Sequence, residues 1–354
     1  MFDVFLGFAF MASSTVANKY ALSVLSPSLM VGLRMLCAGV ILTLFYRRKS
    51  HRLSFAYFKD DILILLGISL LTMLVPALFK AYALKNMLSS KAAFLSSLDP
   101  FVTALYAYFF WNENLTKKKV IGIILGFAGT FILLISSSVS EQSLMAWSVF
   151  SYPEIAALLA MAIGRLGWMF VQQLLRKERY SAPELNGLLM TISGVMVFAM
   201  PFVIASAVAL LRVIPLVASF IPSYSFADAG SFLHTTITPE TNTTMIIYAI
   251  LHTIIVGNVI GYTMYAMFLK RHSATFVSLA GFSVPLYVYL FGAVLLGEPL
   301  SLNFLAASCV TFIGLLIFYQ DEINRISHGH FHPFAWIKNK FGKVENSVQS
   351  STKK

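Results

Sequence analysis

Apolar residues dominate this chain in long blocks, most of them 18 residues or more, broken by short polar or basic patches. Ten blocks stand out, at roughly 3–25, 28–46, 61–84, 89–111, 118–137, 152–174, 183–211, 244–269, 273–297 and 302–320. Most are about 20 residues, the length an α-helix rising 1.5 Å per residue needs to cross a ~30 Å hydrocarbon layer. The pattern predicts an all-α integral membrane protein of ten transmembrane helices.

The blocks are not independent. Leu84-Lys85, Pro100, Glu113, Leu115, Thr116 and Gly129 match Leu269-Lys270, Pro285, Glu298, Leu300, Ser301 and Gly314 at a constant offset of 185 residues. Basic residues then set direction. With the N-terminus in the cytoplasm, 19 of the 26 Lys and Arg fall on the cytoplasmic side: around Arg47–Lys59, at Lys117–Lys119, around Arg176–Arg179, at Lys270-Arg271 and in the tail. Only Lys85, Lys91 and Arg212 fall outside, and four lie within spans. This bias predicts cytoplasmic N- and C-termini. Five spans per half is an odd number, so the second half enters the membrane upside down. The Glu113 turn, followed by three lysines, faces inward, and its twin at Glu298, followed by none, faces outward.

Composition supports the membrane reading and narrows the function. Of 354 residues, 58% are hydrophobic and 12% charged, with mean hydropathy +0.78; a soluble domain carries about 25% charged residues. The net charge of +11 is therefore a topological signal, not a nucleic-acid footprint. Cys37 and Cys309 fall in apolar runs and read as packing residues rather than a disulfide. The N-terminal Met1-Phe2-Asp3-Val4 lacks the basic region of a signal peptide and reads as the start of the first span.

The segment Leu84-Lys85 through Ser97-Leu98-Asp99-Pro100, the turn Asn112-Glu113-Asn114-Leu115-Thr116 and the glycine-bearing fifth span, with a second copy at Val284-Pro285 through Gly297-Glu298-Pro299-Leu300-Ser301, resemble the EamA-type repeats of the drug/metabolite transporter superfamily. Arg34, after Pro27, resembles the arginine this family often places in its second span. The resemblance implies two repeats, 1–137 and 138–320, inverted with respect to each other, followed by a cytoplasmic tail, 321–354. The chain departs from the pattern in an outer insert at 212–243, in Val284 where the first copy has Asp99, and in the tail itself. The superfamily carries amino acids, nucleotide-type cofactors, sugars, polyamines and drugs, and some relatives import S-adenosylmethionine. The resemblance further implies a working monomer.

Charges inside spans are the candidate machinery, because each costs about 2.5–3.5 kcal/mol to insert. They are Lys19, Arg34, Lys80, Asp99 and Arg165. Asp99 reads as the sole acid deep in a span. It can neutralise a cation, bind a substrate amine or carry a coupling proton. Four cations against one acid favour a carboxylate or phosphate in the substrate, and a zwitterion satisfies both signs. Trp168, three residues from Arg165, shares its helical face; Asn258, Tyr262 and Tyr265 are spaced to share another. His252 is a second candidate proton carrier, with a packing histidine as the alternative. Pro100 and Pro285 remove a helical hydrogen bond at equivalent places and are candidate hinges, each freeing a carbonyl four residues back.

Other motifs carry less. His328, His330 and His332 alternate in the tail and read as a solvated loop rather than a metal site. Phe334, Trp336 and Phe341 among lysines suggest a helix lying on the inner leaflet. Asn242-Thr243-Thr244 fits a glycosylation acceptor. No nucleotide-binding loop and no interfacial cluster of acids and histidines argues for an enzyme. The expectation is a secondary active transporter of a small zwitterionic or anionic metabolite, such as an amino acid or an S-adenosylmethionine-like compound. It would work by alternating access in the lipid bilayer of a bacterial inner membrane, with no cofactor, metal, catalytic residue or nucleic-acid partner. The alternatives are a drug exporter of the same fold and a polytopic enzyme acting on a lipid-linked substrate.

Overall fold

The computed structural model describes residues 2–49, 55–135, 150–176, 180–211, 242–272 and 274–327. Most of the outer insert, the tail from His328 onward and its histidine and aromatic motifs lie outside the described residues.

Every regular element described is helical: α1 (Phe2–Leu22), α2 (Pro27–Lys49), α3 (Phe55–Ser69), α4 (Val75–Asn86), α5 (Ser89–Ser96), α6 (Asp99–Trp111), α7 (Lys117–Leu134), α8 (Tyr152–Leu175), α9 (Ala182–Leu211), α10 (Thr243–His252), α11 (Gly261–Arg271), α12 (Ala274–Gly281), α13 (Ser283–Leu296), α14 (Leu302–Phe318) and α15 (Gln320–Ser327). A wider π-helical segment, Leu70–Leu74, joins α3 to α4, and a second, Thr253–Ile260, joins α10 to α11. Seven helical stretches are long and apolar enough to cross a membrane, with Leu302–Phe318 a shorter apolar helix. Their outward faces carry large exposed apolar side chains such as Phe109, Val294 and Leu302, as a lipid-facing surface requires.

Local sequence explains where helices begin and end. At the head of α8, Ser151 and Glu154 cap each other: the Ser151 N–H donates to Glu154 Oε2 at 2.7 Å and the Glu154 N–H to Ser151 Oγ at 3.5 Å. The Thr116 hydroxyl caps α7 and the Asn242 side chain caps α10, so the glycosylation motif is also a helix start. Both α6 and α13 end on a left-handed residue, Asn112 (φ 52°) and Gly297 (φ 66°).

The prolines act differently from the sequence expectation. Neither sits inside a continuous helix. The chain breaks at Ser97-Leu98 and again at Phe282, and a new helix starts, with Pro100 and Pro285 in its first turn, where a missing N–H costs nothing. At each break a serine hydroxyl serves a carbonyl: Ser97 that of Phe94, and Ser283 that of Ala280, both at 2.6 Å.

Helices cross closely where residues are small. At the α7–α14 crossing, a Cβ on Gly129 would lie 2.1 Å from Thr311 Oγ1 and 2.8 Å from the Ala307 carbonyl, and one on Gly314 would lie 2.9 Å from the Gly122 carbonyl. At the α2–α9 crossing Gly39 abuts Thr191, Gly194 abuts Leu36, Gly187 abuts Thr43 and Gly32 abuts Phe198. Small residues let backbones approach in a bilayer, where association relies on packing rather than on apolar transfer. Cys37 and Cys309 do not share this role; both are exposed free thiols.

Candidate functional site

Among the described residues three sets of charged groups stand out within the bundle, and one of them is accessible.

The first is sealed. Lys91, in the first turn of α5, forms an ion pair with Glu154 of α8. Their side chains are 2% and 0% exposed. Sequence placed Lys91 on the outer side without a partner; the structure buries it, and its partner Glu154 stands in the first turn of α8. The physical reason is the Ser151–Glu154 cap, which holds a carboxylate inside the bundle and gives the ammonium a partner. A buried pair of this kind joins two helices and offers no vacancy to a ligand.

The second set stitches one end of the molecule. Glu298, just past α13, accepts from the Ser89 N–H at 2.9 and 3.0 Å and from the Ser89 hydroxyl at 2.7 Å. Lys19 Nζ lies 3.1 Å from Glu298 Oε1 and also donates to the Met87 carbonyl. Lys85 donates to the Leu25 carbonyl at 3.2 Å. Lys19, a candidate for substrate contact by sequence, is thus engaged in an interhelical clamp. Glu298 was legible only as a motif residue.

The third set gathers at the α5–α6 break. Asp99 is the first residue of α6, where the helix N-terminus favours a negative charge. Its Oδ1 lies 3.2 Å from Arg165 Nε on α8. The Arg165 Nε–H nonetheless makes no aligned hydrogen bond, and the two side chains keep 29% and 41% of their surface, Arg165 and Asp99 respectively. Lys80 of α4 lies within electrostatic reach of both Asp99 and Arg34 of α2. It is exposed, and no hydrogen bond or ion pair holds its ammonium among the described residues. Tyr265 of α11, also exposed, shares the field of Arg165 and Asp99. Asp99 and Arg165 are thus in contact, and Lys80 and, through it, Arg34 lie within electrostatic reach of that pair.

The remaining candidates divide. Trp168 is half-buried against the apolar core one turn from Arg165. Asn258 is buried, and its Nδ2 donates to the Arg34 carbonyl at 3.5 Å, bracing that helix. It belongs to the π-helical segment, whose wider turn breaks the uniform spacing assumed for Asn258, Tyr262 and Tyr265. The Tyr262 side chain lies outside what is described. His252 stands apart: its Nε2 is 2.9 Å from Ser13 Oγ, between the rings of Phe10 and Tyr248. Among the described residues no metal-ligating cluster of His, Cys, Asp and Glu is present.

Comparison with known proteins agrees with this architecture. Two segments, 1–135 and 151–320, match the EamA-like transporter family. The chain is 25% identical over 334 residues to the S-adenosylmethionine/S-adenosylhomocysteine transporter of Chlamydia muridarum, covering 92% of this chain and 93% of the relative. It is 25% identical over 334 residues to the protein of the same description from Chlamydia trachomatis serovar L2, covering 90% of that relative. A WAT1-related chloroplastic protein of Arabidopsis thaliana is 23% identical over 322 residues, covering 90% of this chain and 68% of the relative. One crystal structure shares the fold at TM-score 0.53 and 15% identity, covering 89% of this chain and 94% of the other. With the family matched along nearly all of the described helices, the chain belongs to the EamA-like transporters.

Proposed function

We propose that this protein is a secondary carrier of a zwitterionic S-adenosyl metabolite, in which two inverted five-helix repeats alternate access to the charged space at the α5–α6 break. The observation that carries the reading is the pairing of opposite, accessible charges there. Lys80 offers an unengaged ammonium to a substrate carboxylate. Asp99, loosely paired with Arg165, offers a carboxylate to a substrate ammonium or sulfonium. The names of the chlamydial relatives supply the chemical class, and an amino-acid head group with one carboxylate and one amine fits both partners.

Internal symmetry supports the inverted repeats. Adding 185 to α5, 89–96, gives 274–281, the bounds of α12, and adding 185 to Leu70–Leu74 falls inside the second π-helical segment. The same offset carries Asn112 onto Gly297. The crossings also exchange partners, each pair of helices with its own offset. In the α7–α14 pair, Gly129 against Ala307 becomes Gly122 against Gly314. With an offset of 155, Gly39 against Thr191 becomes Leu36 against Gly194. With an offset of 153 for the first helix of each half, Thr72 against Gly167 becomes Gly257 against Ser14. Contacts that exchange partners in this way are those a two-fold axis would give, and an odd number of spans per repeat would set that axis in the membrane plane. The lysine clusters support a cytoplasmic Glu113 end and an outer Glu298 end.

Ligand-dependent unfolding of the purified protein tests the substrate class. S-adenosylmethionine and S-adenosylhomocysteine are expected to raise the melting temperature saturably, where sugars and polyamines do not. A ligand at a hundred times its dissociation constant stabilises by about 2.7 kcal/mol. Asp99→Asn and Arg165→Ala should remove the shift. Equal shifts from all compounds, or none from the S-adenosyl pair with a shift from another class, would reassign the substrate.

A further inference from the structure

The two ends of the molecule carry the same turn but unequal fastenings. At the Glu298 end, the backbone N–H of Glu298 donates to the Gly292 carbonyl at 3.1 Å, and at the other end that of Glu113 donates to the Ala107 carbonyl at the same distance. Beyond this shared frame they diverge. The Glu298 carboxylate is nearly buried and takes up the Ser89 N–H, the Ser89 hydroxyl and the Lys19 ammonium. It reaches them past Gly292, where a Cβ would lie 2.7 Å from both Glu298 Oε2 and Ser89 Oγ. Glu113 is exposed.

The repeat correspondences show what Glu113 has to work with. Ser89 corresponds to Ala274, Lys19 to Gln172 and Gly292 to Ala107. The hydroxyl is gone, the ammonium is replaced by a neutral amide, and the approach that glycine leaves open carries a methyl group. A Glu113 fastening would keep the backbone N–H of residue 274 and little else. The Glu298 carboxylate takes up three donors, one of them an ammonium that adds a second charge to the bond, where Glu113 would meet only neutral donors at the corresponding positions, so the two closures differ in strength.

We infer that Glu298 is a gate residue of the carrier, and that the unequal latches bias it toward the state shut at the Glu298 end. Opening that end requires the carboxylate to leave Ser89 and Lys19, whereas the Glu113 end has only a weaker counterpart to hold it closed. The inference rests on the two-repeat carrier proposed above but not on the identity of the substrate.

Spin-label distances at the two ends test it. In a Cys37→Ala, Cys309→Ala background, the pair Ser23→Cys with Leu302→Cys reports the Glu298 end. The corresponding pair Arg176→Cys with Lys117→Cys reports the other; all four positions are exposed. Without further change, the first pair should be short and narrowly distributed and the second longer. Glu298→Gln, and more mildly Ser89→Ala, should shift populations about tenfold, lengthening the first pair while shortening the second. The transplant Gln172→Lys, Ala274→Ser and Ala107→Gly, which leaves Glu298 intact, should shorten the second pair by building the missing latch. Distributions unmoved in all three, or both pairs lengthening together as in general loosening, would overturn the gate. S-adenosylhomocysteine binding measured on the same samples separates the two proposals. Binding with unmoved distances removes the gate alone, and moved distances without binding remove the substrate class alone.

Discussion

Two ion pairs join α8 to the broken α5–α6 element, and they have opposite character. Lys91–Glu154 is dry, and the same glutamate also caps its own helix. Arg165–Asp99, on the same two elements, is partly open to solvent and poorly aligned for hydrogen bonding. The first fixes where α8 stands; the second leaves both side chains within reach of solvent. Charge inside a membrane protein is thus no marker of function by itself. Accessibility and unspent hydrogen-bonding capacity separate a strut from a site.

The sharpest break in that comparison is to remove one cation from each pair. Lys91→Met should destabilise the detergent-solubilised protein by about 3–5 kcal/mol, because it leaves Glu154 buried and uncompensated. Thermal unfolding should show a large fall, with little folded protein recovered. Arg165→Ala should melt close to the unmodified protein and fail in uptake by proteoliposomes. If both variants lose stability equally, the distinction between strut and site fails.

The glycine crossings sharpen the point with an uncharged control. Gly129→Val forces side-chain atoms into Thr311 and the Ala307 backbone and should cost about 1–3 kcal/mol through overpacking. Nothing lies within 4 Å of a Cβ at Gly67, so Gly67→Ala should stabilise by about 0.5–1 kcal/mol through helix propensity. A melting-temperature series on the two variants measures the contrast.

Much of this was legible in the chain. The all-helical membrane fold followed from block length, because a bilayer leaves a polar backbone few options. Arg34, Lys80, Asp99 and Arg165 were legible as a set because charges inside spans are rare, and of these the structure pairs Asp99 with Arg165. The clamp was not. Lys19 looked like its neighbours in that set, and nothing local to Glu298 announced that it reaches back to Ser89, 209 positions away. Lys91 was misplaced for a related reason: a lysine near a span end reads as aqueous until a carboxylate from another helix is known to meet it. The 185-residue offset did hold a usable signal. Comparing Ser89 with Ala274 and Gly292 with Ala107 along it would have marked the Glu298 end as specialised.

Within the site, Asp99→Asn should leave folding intact and reduce uptake by about tenfold or more, the loss expected when a charged partner of the substrate becomes neutral. Lys80→Gln should have a smaller effect that depends on ligand, weakening carboxylate-bearing S-adenosyl compounds more than the decarboxylated analogue. Isothermal titration with the two ligands measures the difference. Equal weakening of both would move the carboxylate elsewhere, with Arg34 the next group to test.

The smallest effect should come from His252, the other residue whose chemistry suggested proton transfer. The Ser13 hydroxyl donates its single proton to the Phe10 carbonyl at 2.6 Å, so toward His252 it can only accept. That assigns the proton to Nε2 and makes the imidazole a donor tying α10 to α1, with Tyr248 stacked on its face. Its contacts do not extend to Asp99, Arg165 or Lys80 among the described residues. A glutamine can place an amide donor toward the same oxygen without titrating. His252→Gln should therefore keep uptake within about twofold of the unmodified carrier, the range of a substitution that removes no buried partner, and leave its pH profile unshifted. A profile that flattens in His252→Gln while Asp99→Asn keeps its slope would instead give His252 a proton-carrying role at the α1–α10 contact.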